Sequence, residues 1–161
     1  MSARIICIGN RFLAADAAGP LVYDHLAGSP LPVGVELIEG GTAGLRLLPL
    51  LENCELVIFV DAVSGFRPDP GVIVIDPAAL EPEALDFGHG AGLATLLATA
   101  PHVLDPPLPE ILIVGIEGQA DEPACRQAAR VCREIIASRS NRQSRRQSAS
   151  VQETVDERPG Y

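Results

Sequence analysis

Short apolar runs alternate with helix-like segments along most of the chain. The runs are typical of buried strands, and they are Arg4–Ile8, Val35–Ile38, Glu55–Val60, Val72–Ile75 and Ile111–Val114. Helices are predicted to begin near Pro20, Thr42 and Gly92, with Thr42 as an N-cap, and Pro49 should make the helix after Thr42 kink or start late. The last helix, Ala124–Ala137, is the best defined because its apolar residues share one stripe at helical spacing. This alternation predicts an α/β fold, a three-layer α/β/α sandwich around a mostly parallel five-stranded sheet.

The length and composition indicate one ordinary globular domain. The chain has 161 residues, of which 47% are hydrophobic, and can therefore bury a substantial core. Its net charge is −9, and residues 1–137 hold 7 Arg against 18 acidic residues, a balance of −11. Such an acidic body disfavours binding to a phosphate backbone. No apolar run reaches the roughly 20 residues that cross a bilayer, and the first residues do not resemble a signal peptide. We therefore expect a cytoplasmic protein that binds neither nucleic acid nor membrane.

The composition changes abruptly at Ser138. Residues 138–161 contain 5 Arg and 3 acidic residues, but only two Val and one Tyr as large apolar side chains. Burial of so few apolar groups cannot offset the entropy lost on ordering the segment. The sequence therefore predicts an α/β domain at 1–137, followed by a disordered Arg/Ser-rich tail at 138–161.

The cysteines are predicted to be structural. Cys7, Cys54, Cys125 and Cys132 form no CxxC pair, so neither a zinc knuckle nor a disulfide framework is indicated. Cys7 lies in the middle of a strand, and Cys125 and Cys132 lie on the apolar stripe of the last helix. We expect these three thiols to be buried in the core.

Polar residues that could carry chemistry follow the predicted strands. In an open parallel sheet, sites form beyond the carboxyl ends of the strands. The sequence places these groups there: Asn10 and Asp16, Glu39 with the turn Gly40-Gly41-Thr42, Asp61, and His89 before a helix. Asp16, Asp61 and His89 are expected in exposed loops that converge on one point. Their oxygen and nitrogen ligands suit a divalent metal such as Ni, Zn, Fe or Mn.

Each of these three residues also has a purely structural explanation. Asp16 could cap the helix that begins near Pro20. Asp61 could accept a hydrogen bond from a backbone amide of the next turn. His89, which is flanked by glycines, could simply be exposed. Other chemistries have little support, because no GxGxxG fingerprint, no GxSxG motif and no Ser-His-Asp or Cys-His arrangement is present.

Five motifs together resemble the hydrogenase maturation proteases, the endopeptidases that process the large subunit of nickel-iron hydrogenases. The motifs are Ile8-Gly9-Asn10 with Leu13, Asp16 and Gly19; Gly40-Gly41-Thr42-Ala43-Gly44-Leu45; Val57-Ile58-Phe59-Val60-Asp61-Ala62-Val63; His89-Gly90-Ala91-Gly92-Leu93; and Val114-Gly115-Ile116-Glu117. The likeness covers about residues 4–137, in the same order and with similar gaps.

The resemblance implies an aspartic-type endopeptidase that activates another enzyme. Its partner would be the nickel-loaded precursor of a nickel-iron hydrogenase large subunit, from which it removes the C-terminal extension. The resemblance assigns metal contact to Asp16, Asp61 and His89, the same three residues that the sheet topology selects. The nickel is expected to arrive with the substrate, because three weakly chelating ligands suggest a site that is often empty.

Candidates for the catalytic group are Asp16, Asp61 and Glu39. Substrate-binding positions are expected at Asn10, Gly40, Gly41 and Thr42, and the protein is expected to be a monomer.

The chain also departs from the family pattern. Many relatives have two adjacent acids in the first loop, where this chain has Ala15 and Asp16, and Glu39 replaces an Asp before the double glycine. The segment 117–123 lacks the usual Leu-Ser-Pro before the last helix. Two other interpretations compete with the protease. One is a peptidase with resident zinc, and the other is a non-catalytic binding module or chaperone for the metallated subunit.

Overall fold

Five strands form one twisted sheet at the centre of the molecule. A computed structural model describes the backbone of residues 1–80 and 91–156, and the side chains of 1–80 and 92–145. The strands are β1 (Ala3–Ile8), β2 (Val35–Gly41), β3 (Leu56–Val63), β4 (Gly71–Ile75) and β5 (Glu110–Glu117). Their spatial order is β2-β1-β3-β5-β4, and only the edge strand β4 runs antiparallel to its neighbour in the described sheet. The mostly parallel five-stranded sheet is confirmed.

The part of the chain that the structure describes contains three α-helices and three 3-10 helices, of which α3 follows the last strand. The α-helices are α1 (Ala18–Ala27), α2 (Ala91–Val103) and α3 (Glu122–Asp156). The 3-10 helices are Ala14–Asp16, Gly44–Leu51 and Pro77–Ala79. Among the described residues, no helix is both long enough and apolar enough to cross a membrane.

Both faces of the sheet are covered by helices, as a buried parallel sheet requires. On one face, alternate residues of the central strands pack against α1 and α3, with Val22, Leu26 and Ile136 fully buried. On the other face, Phe59 and Ile113 pack against α2 and the 3-10 helix Gly44–Leu51. The three-layer α/β/α architecture is therefore confirmed, and each of the two helical layers buries one apolar face of the sheet.

The helix predicted after Thr42 takes a different form. It is the 3-10 helix Gly44–Leu51, its N-cap is Ala43, and no side chain caps it. Thr42 was therefore wrongly predicted as the N-cap. Pro49 lies inside the helix, and its missing N–H is compatible with the short, tighter turns of 3-10 geometry.

The closing helix extends well beyond its predicted end. α3 continues through Ser138 to Asp156, where the sequence predicted a disordered tail. Side-chain contacts accompany the extension: Arg139 forms a bidentate ion pair with Glu110, and Gln143 donates to Glu55. Composition shows how few apolar groups the segment can bury, but it does not show such polar contacts with the N-terminal ends of β3 and β5. The division into domain and tail at residue 137 stays a prediction.

The thiols behave as the sequence predicted. Cys7, Cys125 and Cys132 are buried, Cys54 is half-buried, and all four are free. Burial raises the pKa of the Cys132 thiol to about 12. These thiols are therefore protonated core groups.

Candidate active site

The order in which consecutive strands are added to the sheet reverses at β1. The chain leaves β1 toward β2 on one side, and later enters β3 on the opposite side of β1. At such a switch point, the connections diverge and leave a crevice beyond the carboxyl ends of the strands. Asp16 lies in the connection after β1, and Asp61 lies near the end of β3. The topology therefore brings the two acids to one crevice.

Asp61 is a buried strand residue. Phe59 and Val63, two positions before and after it, belong to the core on the α2 side, so Asp61 points toward the same face. Its side chain is only 2% exposed. Oδ1 accepts a hydrogen bond from the amide N of Ala62 at 2.8 Å, whereas Oδ2 has no partner among the described residues. The expectation of an exposed loop was wrong, because β3 continues to pair with β5 through its last three residues.

Burial makes ionisation of Asp61 unfavourable. It raises the pKa of Asp61 from its ordinary value of 3.8 to about 7. The Ala62 amide opposes this shift by donating to the carboxylate, and the charge of Asp16 adds to it. A carboxylate oxygen without a donor loses its hydration and receives little in return. Near neutral pH, Asp61 can therefore hold a proton, release it, or exchange it for a cation.

Asp16 is positioned by a short loop whose hydrogen bonds converge on Asn10. The amide N of Asn10 donates to the carbonyl oxygen of Asp16 at 2.8 Å and to its Oδ2 at 3.0 Å. Asn10 accepts in turn, from the amide of Phe12 at its Oδ1 and from the amide of Leu13 at its carbonyl. Helix α1 begins after Ala17 without a side-chain cap. Asp16 therefore closes the loop and does not cap α1.

Two glycines of the first motif permit this arrangement. Gly9 has a φ of +132°, and a Cβ there would lie 2.1 Å from the carbonyl oxygen of Asp16. A Cβ at Gly19 would lie 1.9 Å from the carbonyl oxygen of Ile8. Any side chain at these positions would push the loop, or the start of α1, away from the end of β1.

The two acids share a cavity of about 210 Å³. Its polar lining includes Asp16, Asp61 and the exposed Thr42. Its apolar walls are Ile8, Leu47, Leu93 and Leu96. These walls exclude water from Asp61, which is the physical cause of its raised pKa. The cavity therefore combines one dry carboxylate with one partly hydrated carboxylate, a pair suited to binding a divalent cation or to moving a proton.

Residues that the sequence analysis did not select also shape the cavity. Gly44 and Gly92 bring the 3-10 helix against α2, since a Cβ on Gly92 would lie 3.2 Å from the Cα of Gly44. Both glycines belong to the resembling motifs, which was the available signal. Leu93 belongs to the same motif as Gly92, whereas the wall residue Leu96 carried no signal, because an apolar helix position looks the same whether it fills a core or lines a cavity.

The structure separates Glu39 from the acid pair. Glu39 does not line the cavity, and its Oε1 accepts from Arg11 at 3.0 Å. Arg11 also binds Asp24 of α1, on the face opposite Asp61. An exposed, ion-paired carboxylate on that face is poorly placed for chemistry in the cavity. Glu39 is therefore not retained as a catalytic candidate.

The remaining predicted site residues have mixed positions. Asn10 holds the loop through its backbone and side chain, and does not line the cavity. Gly40 is buried, and the carbonyl of Gly41 accepts from the amide of Gly9, so both support the base of the loop. His89 lies outside the described residues. Among the described side chains, those of residues 1–80 and 92–145, no three His, Cys, Asp or Glu form a group that could hold a metal.

The sheet order, the cavity at the switch point and its paired acids define an α/β protein with an acidic crevice as its candidate functional site. The model of a known family, described as hydrogenase maturation protease, matches residues 21–125. The chain belongs to the hydrogenase maturation protease family.

Individual relatives agree with this assignment. The hydrogenase expression/formation protein HupD of Rhodobacter capsulatus is 37% identical over 101 residues, which are 60% of this chain and 48% of HupD. The chain thus spans about half the length of HupD. The hydrogenase 2 maturation protease of Escherichia coli is 29% identical over 124 residues, 74% of each chain.

Solved structures share the fold. The hydrogenase maturating endopeptidase HybD from Escherichia coli superposes with a TM-score of 0.68 at 24% identity, over 86% of this chain and 91% of HybD. The hydrogenase 2 maturation peptidase from Thaumarchaeota archaeon SCGC_AB-539-E09 gives a TM-score of 0.56 at 26% identity, over 85% of this chain and 99% of the peptidase.

Proposed function

We propose that the protein is an endopeptidase that removes the C-terminal extension of the nickel-loaded precursor of a nickel-iron hydrogenase large subunit. Membership of the hydrogenase maturation protease family supports the reaction and the class of substrate. The observation that carries the proposal is Asp61, a buried acid with one oxygen unpartnered among the described residues, in a cavity that it shares with Asp16. We place the protein in the cytoplasm as a monomer, as the sequence predicted.

The donor set fits nickel that is carried by the substrate. Oδ2 of Asp61 has no competing donor among the described residues, and Asp16 contributes a second carboxylate on the same cavity. His89 is proposed as the third contact. A bound cation would replace the proton on Asp61 and compensate its buried charge. The metal thereby reports that the substrate is complete, since it adds affinity only when the precursor is loaded.

The chain's own groups divide the remaining work. Asp61 holds a proton in the free protein and would release it when the cation of the loaded precursor takes its place. Asp16 orients the substrate at the mouth of the crevice, held by the amide of Asn10. The apolar walls exclude bulk water and strengthen every charge interaction inside the cavity.

The test compares two forms of one precursor preparation. Nickel-loaded precursor should lose a short C-terminal peptide, seen as a discrete decrease in mass, and metal-free precursor should stay intact. Cleavage of both forms, lost after the enzyme alone is treated with chelator, would indicate a resident-zinc peptidase. Binding of the loaded form without a change in mass would indicate a chaperone. Equal cleavage of both forms without chelator sensitivity would refute nickel recognition but leave the protease.

Site variants test the residue assignment in the same assay. Asp16→Asn and Asp61→Asn keep the shape of each side chain but remove its charge. Each variant should lower cleavage of the loaded precursor by at least about tenfold, since each loses a charged contact. Glu39→Gln is the matched control on the other face of the sheet and should cleave normally. Normal cleavage by both Asp variants would overturn the site.

A further inference from the structure

Two large apolar side chains project into solvent from the loop between Gly9 and Asp16, two residues that line the cavity. Phe12 is 92% exposed and Leu13 is 56% exposed. We call this pair the apolar tip. It belongs to the same loop as Asp16, whose amide donates to the carbonyl of Leu13 at 2.8 Å. The two side chains adjoin in sequence and lie in the loop that carries a cavity-lining acid, so they form an apolar surface that anything entering the cavity could contact.

The apolar tip is held rigidly although it packs against little of the described chain. The amides of Phe12 and Leu13 both donate to Asn10, and Asn10 in turn donates to Asp16. These bonds fix the backbone of the loop at both ends. A rigid loop that displays apolar side chains has already lost the entropy that binding would otherwise cost.

Arg11 anchors the base of the apolar tip. Its guanidinium binds both oxygens of Asp24 on α1, at 2.6 and 3.2 Å, and Oε1 of Glu39 on β2 at 3.0 Å. The residue before Phe12 is thereby tied to two separate elements of the fold. Because Arg11 is paired with two carboxylates, the groups of this loop that remain available to a partner are the side chains of Phe12 and Leu13.

The cavity alone offers little surface to a protein substrate. Its volume of about 210 Å³ is below the roughly 300–1,000 Å³ of pockets that enclose small ligands. A folded protein can therefore insert only a small part of itself, and most of its contact must lie on the rim. Among the described residues, the loop between Gly9 and Asp16 adds a nearly fully exposed aromatic side chain, Phe12, next to this lining.

We propose that the apolar tip docks on an apolar surface of the precursor subunit and supplies affinity, while the cavity supplies the chemistry. This inference rests on the proposed function for the identity of the partner. The partner is a folded protein that presents an apolar patch beside the group entering the cavity. Continuity with the cavity supports this occupant, since any protein that reaches Asp61 also meets the loop of Asp16.

The test measures binding and cleavage separately for one set of variants. Phe12→Ser removes the aromatic ring but keeps the amide that bonds to Asn10. Val33→Ser is the matched control, because Val33 is fully exposed just before β2, at the opposite end of the sheet from the cavity. Thermal unfolding of both variants should match the original chain, since neither side chain is buried.

Association of nickel-loaded precursor with the immobilised chain is recorded directly. We expect Phe12→Ser to weaken Kd by roughly tenfold or more, the usual effect of losing a buried aromatic contact. KM should rise in parallel while kcat stays unchanged. Val33→Ser should leave Kd, KM and kcat unchanged.

The outcomes separate this inference from the proposed function. Binding that depends on Phe12 without any cleavage would refute the endopeptidase and support docking. Cleavage with an unchanged Kd and KM in Phe12→Ser would refute docking and leave the endopeptidase. A dimer, or binding to anionic lipid vesicles, that is lost in Phe12→Ser while Kd for the precursor is unchanged would assign the tip to that other occupant and overturn the inference.

Discussion

Replacing Asp61 with Asn should stabilise the protein while it abolishes cleavage. The substitution keeps the shape of the side chain and an oxygen that can accept from the Ala62 amide, but it removes the buried negative charge. Asp61 is 2% exposed, and its Oδ2 has no hydrogen-bond donor among the described residues. Because that charge is poorly compensated, the folded state should be more stable without it.

The magnitude follows from the raised pKa of Asp61. A folded pKa of about 7 against an ordinary value of 3.8 is a difference of about 3 units, or about 4 kcal/mol at 1.36 kcal/mol per unit. Between these two values, the folded protein holds a proton on Asp61 that the unfolded chain has released. Stability is therefore lost as the pH rises from 3.8 through 7, and the loss is complete above the folded pKa. About 3 kcal/mol of it falls between pH 5 and pH 8.

Urea unfolding at pH 5 and pH 8, in buffer with chelator, measures this effect. Other groups titrate in both proteins, so the difference between the original chain and Asp61→Asn isolates Asp61. The advantage of the variant should grow by about 3 kcal/mol from pH 5 to pH 8, which shifts its urea midpoint by at least about 1 M. An advantage that is equal at both pH values would refute the assignment of a buried, titrating Asp61.

Three other outcomes are expected. Gly19→Ala should lower the free energy of unfolding by at least about 3 kcal/mol, because its Cβ would lie 1.9 Å from a backbone oxygen of β1. Gly28→Ala is the control: its Cβ meets only contacts of 3.6 Å or more, so its thermal unfolding should match that of the original chain. Deletion of 138–161 should lower Tm by only a few degrees, since exposed ion pairs contribute roughly 0–1 kcal/mol each, and a loss above roughly 10 °C would show that the helix extension is part of the core. His89→Ala should abolish cleavage of loaded precursor at an unchanged Tm, while His102→Ala should cleave normally, and equal activity of the two would remove His89 from the site.

The strands could be predicted because their signal is local. Each apolar run survives in the fold within a few residues of its predicted ends, since a strand buried on both faces must be apolar at nearly every position. Local pattern does not determine pairing. β4 is antiparallel because only residues 64–70 join it to β3, too few for the crossover that a parallel strand needs, but its position beside β5 depends on the whole sheet.

The site was predictable in position but not in environment. Strand ends and motifs indicated Asp16 and Asp61, and the structure places both on one cavity. The burial of Asp61 follows from a register that local sequence does not contain: β3 is longer than its apolar run because β5 pairs with it to the end. The same limit explains Glu39. In a strand, alternate residues face opposite sides, so proximity in sequence to the double glycine did not place Glu39 beside Asp61.

The stability that the protein loses by burying the charge of Asp61 is itself an argument that this residue has a function. A penalty of about 4 kcal/mol is a large share of the roughly 5–15 kcal/mol by which domains are stable. A neutral side chain of the same size would avoid the penalty, so folding alone does not explain an acid in this position. A cation beside Oδ2 would compensate the buried charge, and the energy withheld from folding would then be returned on binding. Such a cavity would favour a cationic substrate group over an empty state, which is the property that the proposed recognition of a metal-loaded partner requires.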